Sequence, residues 1–416
     1  MQKITQMIEK AEEQLQPVFE RIDLNERIRT SQVLESFRNN HVSYRHFAPT
    51  SGYGYDDIGR DTLERIYADI FHTEAALMRP HIASGTAALS LTLFGLVKPG
   101  ESIVSATGMP YDTLQTVIGI GDQETPGSLK EMNIKFRCVE MKNGRIDVRA
   151  TEEAIDGSTS LVIAQRSRGY AWRPSLYPED FSELAKMIHT KHPCVHLMVD
   201  NCYGEFVCAD EPTDYGADLC VGSLIKNPGG GIAPTGGYIA GKEELIDRIA
   251  GRLTAPGLGR ELGSYAASYR PYYQGLFMAP HTVAQALKTA VLAARLFEDL
   301  GIETSPPSDE RRADIIQAIK MNSPERLVAF CQGIQTASPV DSMALPEPWN
   351  MPGYEDQVVM AAGTFVAGAS IELSADGPIR PPYTAFMQGG LTYAHGRLAL
   401  EEALRRMEDA GTLKAL

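Results

Sequence analysis

The feature that most constrains the fold is an alternation of short, apolar, β-prone segments with helical segments between residues 76 and 250. The predicted strands are ESIVSA, IKFRCVE, SLVIAQR, VHLMVD, DLCVGSL and GGYIAG, and helices such as EDFSELAKMIHT lie between several of them. Nearly continuous apolar strands separated by helices are typical of a mainly parallel sheet that is covered on both faces. The sequence therefore predicts an α/β fold.

An amino-terminal region precedes this core. Residues 1–60 are predicted to comprise a helical arm and a loop. The arm extends to about residue 40 with an interruption at Pro17, and the loop that follows is rich in glycine and tyrosine, a composition that often lines a pocket. The next segment, DTLERIYADIF, is predicted to be an amphipathic helix capped by Asp61 or Thr62.

A second boundary follows the core. A long helix over roughly residues 280–300 leads into the proline-rich break SPPSDE. Beyond the break, the short strands QVVMAA and ASIELSA and the closing helix LALEEALRRM predict a small α+β domain. We therefore expect a large domain over residues 61–300 and a small domain over residues 301–416.

Composition excludes several classes of protein. Asp and Glu number 53 against 39 Lys and Arg, and the absence of a long basic run argues against nucleic-acid binding. The sequence contains no apolar run long enough to span a membrane, and the segment MQKITQMIEKAEEQL lacks the character of a signal peptide. The six cysteines include no CxxC pair, which argues against a disulfide framework or a structural zinc site. We expect a cytoplasmic protein that acts on a small molecule, without a metal.

Polar residues occur where predicted strands end, which is where ligands bind in open α/β sheets. Ser84, Gly85 and Thr86 open an apolar helix, where free backbone N–H groups favour a phosphate, although small residues also serve as simple caps. Asp200 ends the strand VHLMVD, where a carboxylate commonly caps the next turn. Lys226 lies between an apolar strand and a glycine-rich hairpin, a position in which the pKa of a lysine can fall far enough to make its amine a nucleophile.

Together these residues match the requirements of pyridoxal 5'-phosphate. A lysine joins the cofactor covalently, a carboxylate keeps the ring nitrogen protonated, and a helix start binds the phosphate. Ser223, three residues before Lys226, could add a hydroxyl to the phosphate site. Tyr111, in PYDTL, is placed to stack on the ring, with an ordinary core or interface tyrosine as the alternative.

The order of the motifs ASGTAA, PYDTL, VDNCYGEF and GSLIKNPGG resembles the fold-type I pyridoxal phosphate enzymes of cysteine and methionine metabolism. It is most similar to a bacterial carbon–sulfur lyase group described as cystathionine β-lyase or methionine γ-lyase related and associated with aluminium resistance. The resemblance runs from about residue 45 to the C-terminus and implies a mainly parallel seven-stranded sheet beside a small α+β domain. It implies Lys226 as the Schiff-base lysine, Asp200 as the ring-nitrogen partner, Tyr111 as the stacking residue, and Gly85, Thr86 and Ser223 as phosphate ligands.

The resemblance also implies an oligomer, a dimer or a homotetramer, in which neighbouring subunits share sites. Tyr55 matches the family tyrosine that reaches the phosphate of the adjacent subunit. The arginine that accompanies this tyrosine in the family is replaced by Asp57, and Arg60 is a possible substitute. Ile225 replaces the hydroxyl residue that precedes the family lysine, which leaves the phosphate site one ligand short.

An amino-acid substrate requires a cation for its carboxylate, ideally the fork of an arginine. Arg380 is the leading candidate, because the small domain usually supplies this arginine in the fold that the chain resembles. Arg166, Arg168 and Arg173 lie in the cluster QRSRGYAWRPS, which follows the predicted strand segment LVIA, and at least one of them could contact substrate or cofactor.

The predicted reaction is the elimination of a thiol from a sulfur-containing amino acid of the cystathionine, cysteine or methionine type. Lys226 is the expected base, and Tyr111 is a candidate acid for the second proton shift that elimination from the γ carbon requires. The sequence does not separate β from γ elimination. An aminotransferase, an aldolase and a non-catalytic interaction protein that binds pyridoxal phosphate remain alternatives, since the same residues would hold the cofactor in each.

Overall fold

The computed structural model describes residues 2–121, 125–351, 354 and 356–413. The α-helices are α1 (Gln2–Asn39), α2 (Ile58–Ile70), α3 (Gly85–Leu96), α4 (Asp112–Ile118), α5 (Val148–Ala154), α6 (Ser182–Lys191), α7 (Glu243–Leu253), α8 (Arg270–Asp299), α9 (Pro324–Thr336) and α10 (Tyr393–Asp409). The strands are β1 (Ala75–Arg79), β2 (Ser102–Ser105), β3 (Lys135–Cys138), β4 (Thr159–Gln165), β5 (His196–Asp200), β6 (Leu219–Ser223), β7 (Gly237–Gly241), β8 (Thr304–Ser305), β9 (Gln317–Lys320), β10 (Val358–Ala361), β11 (Ser374–Pro378) and β12 (Thr384–Gln388).

Seven strands form the large sheet in the order β1-β7-β6-β5-β4-β2-β3. All neighbouring pairs are parallel except the two that β7 makes with β1 and β6. The predicted α/β fold with a mainly parallel sheet is therefore confirmed. Strand β1 was missed because its sequence, AALMR, consists of residues that favour helix, and its pairing with β7 overrides that preference.

Both faces of the large sheet are buried. Leu197 and Val199 of β5 belong to the core that includes α2, α6 and α8, whereas Met198 belongs to the core that includes α3 and α7. Successive residues of a strand point to opposite faces, so apolar residues at every position require helices on both sides. This arrangement leaves the carboxyl edge of the parallel strands free for polar residues.

The small sheet has five strands in the order β10-β11-β12-β9-β8, and every pair is antiparallel. Buried side chains of α9 and α10, such as Leu327 and Leu404, belong to a core that also contains Ala375 and Ala385 of the sheet. The predicted small α+β domain is confirmed as an architecture, and its predicted boundary at residue 301 stays a prediction. Within the predicted strand ASIELSA, pairing begins only at Ser374.

Three local predictions were wrong. Helix α1 continues through Pro17, because Leu15, Val18 and Phe19 bury one face of the helix and packing outweighs the loss of a single backbone hydrogen bond. Helix α2 begins at Ile58, ahead of Asp61, because the carboxylate of Asp57 accepts a hydrogen bond from the Arg60 N–H at 3.0 Å.

The third wrong prediction is the start of the long helix α8, which begins at Arg270, about ten residues before its predicted beginning.

None of the described helices has the length and apolarity needed to cross a bilayer.

Candidate active site

A cavity of about 200 Å³ lies where the large sheet meets the small one. Strands β4, β5 and β6 are parallel and end at the same edge, with Gln165, Asp200 and Ser223 as their last residues. All three border the cavity. Of the residues predicted from the sequence, those that line it are Ser84, Gly85, Thr86, Tyr111, Asp200, Ser223 and Lys226.

The start of α3 forms one end of the cavity. The Ser84 side chain accepts a hydrogen bond from the Ala87 N–H at 3.0 Å and thereby caps the helix. Gly85 and Thr86, the first residues of α3, line the cavity. A β-carbon on Gly85 would lie 3.1 Å from the β-carbon of Ser223, so glycine allows the helix to approach the end of β6 closely. A helix N-terminus flanked by hydroxyl groups is a favourable environment for a phosphate.

Asp200 lies buried at the end of β5. Its Oδ1 accepts a hydrogen bond from the backbone N–H of Cys202 at 3.1 Å. Burial raises the pKa of this carboxyl above its ordinary value, and the positive charge of Lys226 opposes that effect only in part. The carboxyl is therefore ready to accept a proton or a positively charged hydrogen-bond donor.

Lys226 lies three residues after the end of β6, and its amine faces an aromatic ring. Its Nζ lies 3.9 Å from the centre of the Tyr203 ring. The backbone that carries this ring is tied to the segment after Lys226, because the Asn227 side chain donates hydrogen bonds to the backbone carbonyls of Tyr203 at 3.0 Å and of Glu205 at 2.9 Å.

The predicted fall in the pKa of Lys226 is wrong for the protein alone. Burial favours such a fall, but the attraction of Cys202, Tyr203 and Asp200 outweighs it and raises the pKa above the ordinary lysine value. Lys226 is therefore an ammonium group at neutral pH, until another molecule engages the acidic groups around it.

Tyr111 is the residue that immediately precedes α4. Its backbone N–H donates to Gln165 Oε1 at 2.9 Å, and its hydroxyl is hydrogen-bonded to that of Tyr354. Burial raises the pKa of the Tyr111 hydroxyl far above its usual range, so the group keeps its proton at neutral pH. A protonated hydroxyl in the cavity is a potential hydrogen-bond donor or acid.

Two predicted site residues lie away from the cavity. Tyr55 is 57% exposed, and its ring lies 5.7 Å from that of Tyr53. Arg380 is half-exposed and donates to the Asp356 carboxylate at 2.9 Å. Neither residue belongs to the described lining of the cavity. Arg60 is buried and donates to the Gly54 carbonyl at 2.8 Å, so it holds the loop before α2.

The three arginines after β4 have different surroundings. Arg166 is buried and donates to Asn201 Oδ1 at 2.7 Å, while Arg173 donates to the Gln165 carbonyl at 3.1 Å. The side chain of Arg168 is buried, and none of its three nitrogens has a hydrogen-bond partner among the described residues. None of the three belongs to the described lining of the cavity, which contains no arginine. The first two stabilise the loop after β4.

The sequence analysis missed the small-domain side of the cavity. Asp376 of β11 and Phe386 and Gln388 of β12 line it together with Tyr170. Burial raises the pKa of Asp376 to about 7, against the opposing effect of hydrogen bonding by Gln388 and Tyr170. The surrounding sequence, SADGP, carries the Asp-Gly pair typical of a turn, and this signal conceals the strand.

No group of three His, Cys, Asp or Glu side chains within the described ranges is arranged to hold a metal ion. The polar residues of the cavity instead provide an amine, two carboxyls, several hydroxyls and a helix N-terminus.

This fold is that of the fold-type I pyridoxal phosphate-dependent enzymes. The pyridoxal-5'-phosphate dependent protein YhfS from Escherichia coli shares it, with a TM-score of 0.61 over 92% of this chain and 97% of that one, although the two are only 15% identical. The sequence model of the methionine gamma-lyase family matches residues 4–408. The chain belongs to that family, and the family resemblance of its motifs is confirmed.

Closer relatives align over nearly the whole chain. A carbon-sulfur lyase involved in aluminum resistance from Clostridium novyi NT is 47% identical, with a TM-score of 0.94 over 98% of this chain and 96% of that one. Protein YnbB of Bacillus subtilis (strain 168) is 52% identical over 374 residues, which cover 90% of this chain and 89% of the relative.

Proposed function

We propose that the protein is a pyridoxal phosphate-dependent carbon–sulfur lyase that eliminates a thiol from a sulfur-containing amino acid. The observation that carries this proposal is the convergence of Lys226, Asp200 and the start of α3 on one cavity in a chain of the methionine gamma-lyase family. The name of the Clostridium novyi relative supports the same class of reaction.

The residues of the cavity fit the cofactor. Lys226 supplies the amine for its aldehyde, and buried Asp200 supplies the carboxylate for its ring nitrogen. Ser84, Gly85, Thr86 and Ser223 provide the hydroxyl and N–H groups for its phosphate, and Tyr111 provides an aromatic ring. When bound, pyridoxal phosphate supplies an electron sink for the negative charge that develops at the α carbon of the substrate.

Two residues of the chain then move protons. Lys226 would take the α-proton of the substrate in its uncharged form, since its amine lies in the cavity together with the carboxyl of Asp200. Tyr111 retains its hydroxyl proton and is the candidate acid for the second proton shift in a γ elimination. A β elimination needs only the first of these steps.

The reaction is tested with cystathionine, cysteine and methionine as substrates. We expect at least one of the three to give equal amounts of a keto acid, pyruvate or 2-oxobutanoate, and of a sulfur product, free thiol or sulfide, and we expect neither product from Lys226→Ala. Transfer of the amino group to an added keto acid without release of sulfur would identify an aminotransferase. A protein that binds the cofactor and converts no amino acid would be the interaction protein.

We further propose that two subunits share each site, with Tyr55 of one subunit reaching the phosphate of the other. Its large exposed fraction and its neighbour Tyr53 support a contact beyond the subunit. Dissociating and mixing the inactive variants Tyr55→Ala and Lys226→Ala tests this directly. Hybrid oligomers would contain some sites with neither substitution and regain activity, whereas no recovery after confirmed subunit exchange would contradict shared sites.

A further inference from the structure

The small domain contributes three neighbouring side chains to the cavity, here called the small-domain wall: Asp376, Phe386 and Gln388. Asp376 is the register partner of Phe386, and Gln388 is the register partner of Ser374, in the antiparallel pair β11–β12. Register partners and residues two apart lie on the same face of a sheet. The three side chains therefore face the cavity together.

No positively charged side chain in the described part of the chain forms an ion pair with Asp376. The residue is 7% exposed, and its Oδ1 has no hydrogen-bond partner among the described residues. The hydrogen bonding that the carboxyl does receive comes from two uncharged side chains, Gln388, at 3.3 Å from Oδ2, and Tyr170. A buried carboxylate is costly unless it is paired with a positive charge or well supplied with hydrogen bonds. This carboxyl is consequently a position that a cationic ligand would satisfy. Its pKa of about 7 allows it to ionise near neutrality when such a ligand enters.

Aromatic rings lie beside this carboxyl. The ring of Tyr170 is 5.3 Å from that of Phe386 and 6.0 Å from that of Tyr111, centre to centre. Ring faces attract ammonium groups and carry no charge that would favour an anion. Lys226 is the one cationic side chain in the described lining, against the two carboxyls Asp200 and Asp376.

The geometry points to a second cation-recognition site within the cavity, in which Asp376 binds a positively charged group on the part of the substrate that leaves with sulfur. This inference rests on the proposed lyase function, in which the α-amine is engaged beside Lys226 and Asp200. It defines the substrate class as S-substituted cysteine or homocysteine whose sulfur substituent carries an ammonium group. Methionine, with an uncharged methyl group on sulfur, belongs outside that class.

The test uses two compounds that differ in one group. S-(2-aminoethyl)-L-cysteine and S-propyl-L-cysteine have nearly the same shape, but the first ends in an ammonium and the second in a methyl group. We expect the protein to prefer the first by at least about tenfold in kcat/KM, and we expect Asp376→Asn to bring the ratio to about one. If cleavage occurs at the γ carbon, the corresponding homocysteine pair takes their place.

A matched variant controls for the loss of charge. Glu303→Gln removes one carboxylate from the small domain at an exposed position where it pairs with Lys320, and it should keep the tenfold ratio. If Asp376→Asn fails to fold, Asp376→Glu serves instead, since it keeps the charge but moves it by one methylene and should reduce the ratio.

Binding gives a second readout that does not depend on turnover. Calorimetric titration of cofactor-loaded Lys226→Ala with both compounds should reproduce the preference, and the same titration of Lys226→Ala/Asp376→Asn should lose it. Equal binding of the two compounds by Lys226→Ala, or an unchanged ratio after the Asp376 substitution, would overturn the inference while leaving the lyase reaction intact. If sulfur is released from neither compound but the binding preference is present, the recognition site stands and the proposed reaction fails.

Discussion

Two buried carboxyls border the same cavity, but they lie in sheets of opposite construction. Asp200 ends a parallel strand, accepts a hydrogen bond from the turn that follows, and lies near the positive charge of Lys226. Asp376 lies within an antiparallel strand and has no cation to balance it in the described structure. Strand ends of a parallel sheet converge on a fixed point, which suits the chemistry that members of a family share. Alternate positions of an antiparallel strand can change without altering the sheet, which suits substrate selection.

The comparison of the two carboxyls predicts that substitution of Asp200 causes the largest loss of catalytic activity. Asp200→Asn keeps the size of the side chain but removes the negative charge that would hold the ring nitrogen protonated. We expect kcat/KM to fall by at least about a thousandfold, with the cofactor still bound, as measured by steady-state kinetics and absorption. Asp376→Asn should have a smaller effect on the uncharged propyl compound. Similar losses for both variants on that compound would contradict the division of labour between the two carboxyls.

A smaller effect is expected for the phosphate contacts of the large domain. Ser223→Ala removes one hydroxyl from the end of β6 beside Gly85, and we expect cofactor affinity to fall by about tenfold. Equilibrium dialysis measures this change. Ser182→Ala, at an exposed position at the start of α6, is the matched control and should leave the affinity unaltered. Unchanged affinity in Ser223→Ala would remove Ser223 from the phosphate site.

The smallest effect concerns stability and its pH dependence. The pKa of Asp376 is about 7 in the folded protein, above its ordinary value of 3.8, so its favourable contribution is complete below about pH 4 and is lost as the pH rises through 7. Asp376→Asn cannot ionise, so its Tm relative to the unsubstituted protein should rise by a few degrees between pH 5 and pH 8.

Thermal unfolding of both proteins at the two pH values, without ligand, measures this difference. Glu205, whose pKa burial raises to about 8, titrates in both proteins, so its contribution largely cancels in the comparison. A difference in Tm between the two proteins that does not vary with pH would show that folding does not raise the pKa of Asp376.

The sequence reveals the large-domain side of the cavity because its pattern is local. Asp200 ends an apolar strand, Lys226 lies three residues after another, and Ser84 precedes an apolar helix, so each position could be recognised within a few residues. Parallel strand ends meet at one edge, and this rule brings the separate segments together. The mainly parallel sheet and the small α+β domain followed from the same periodicity.

The small-domain side could not be recognised in this way. The register between β11 and β12 determines which face of the sheet carries the Asp376 side chain. This register is set by pairing between two separate segments, and a short sequence motif does not reveal it. The substrate-binding role of Arg380 stays a prediction. Its position in the small domain suggested that role, whereas its ion pair with Asp356 is visible only in the fold. The charge of Lys226 was also beyond the sequence, since its pKa depends on residues that the fold assembles around it.

The central claim is that the Lys226 amine holds pyridoxal phosphate in this cavity. The protein is incubated with the cofactor, reduced with borohydride, digested and analysed by mass spectrometry beside Lys226→Ala treated in the same way. We predict a yellow protein that bleaches on reduction and carries one pyridoxyl phosphate group on the peptide containing Lys226, and no modified peptide from the variant. A colourless protein, or a group attached to a different lysine, would contradict the account.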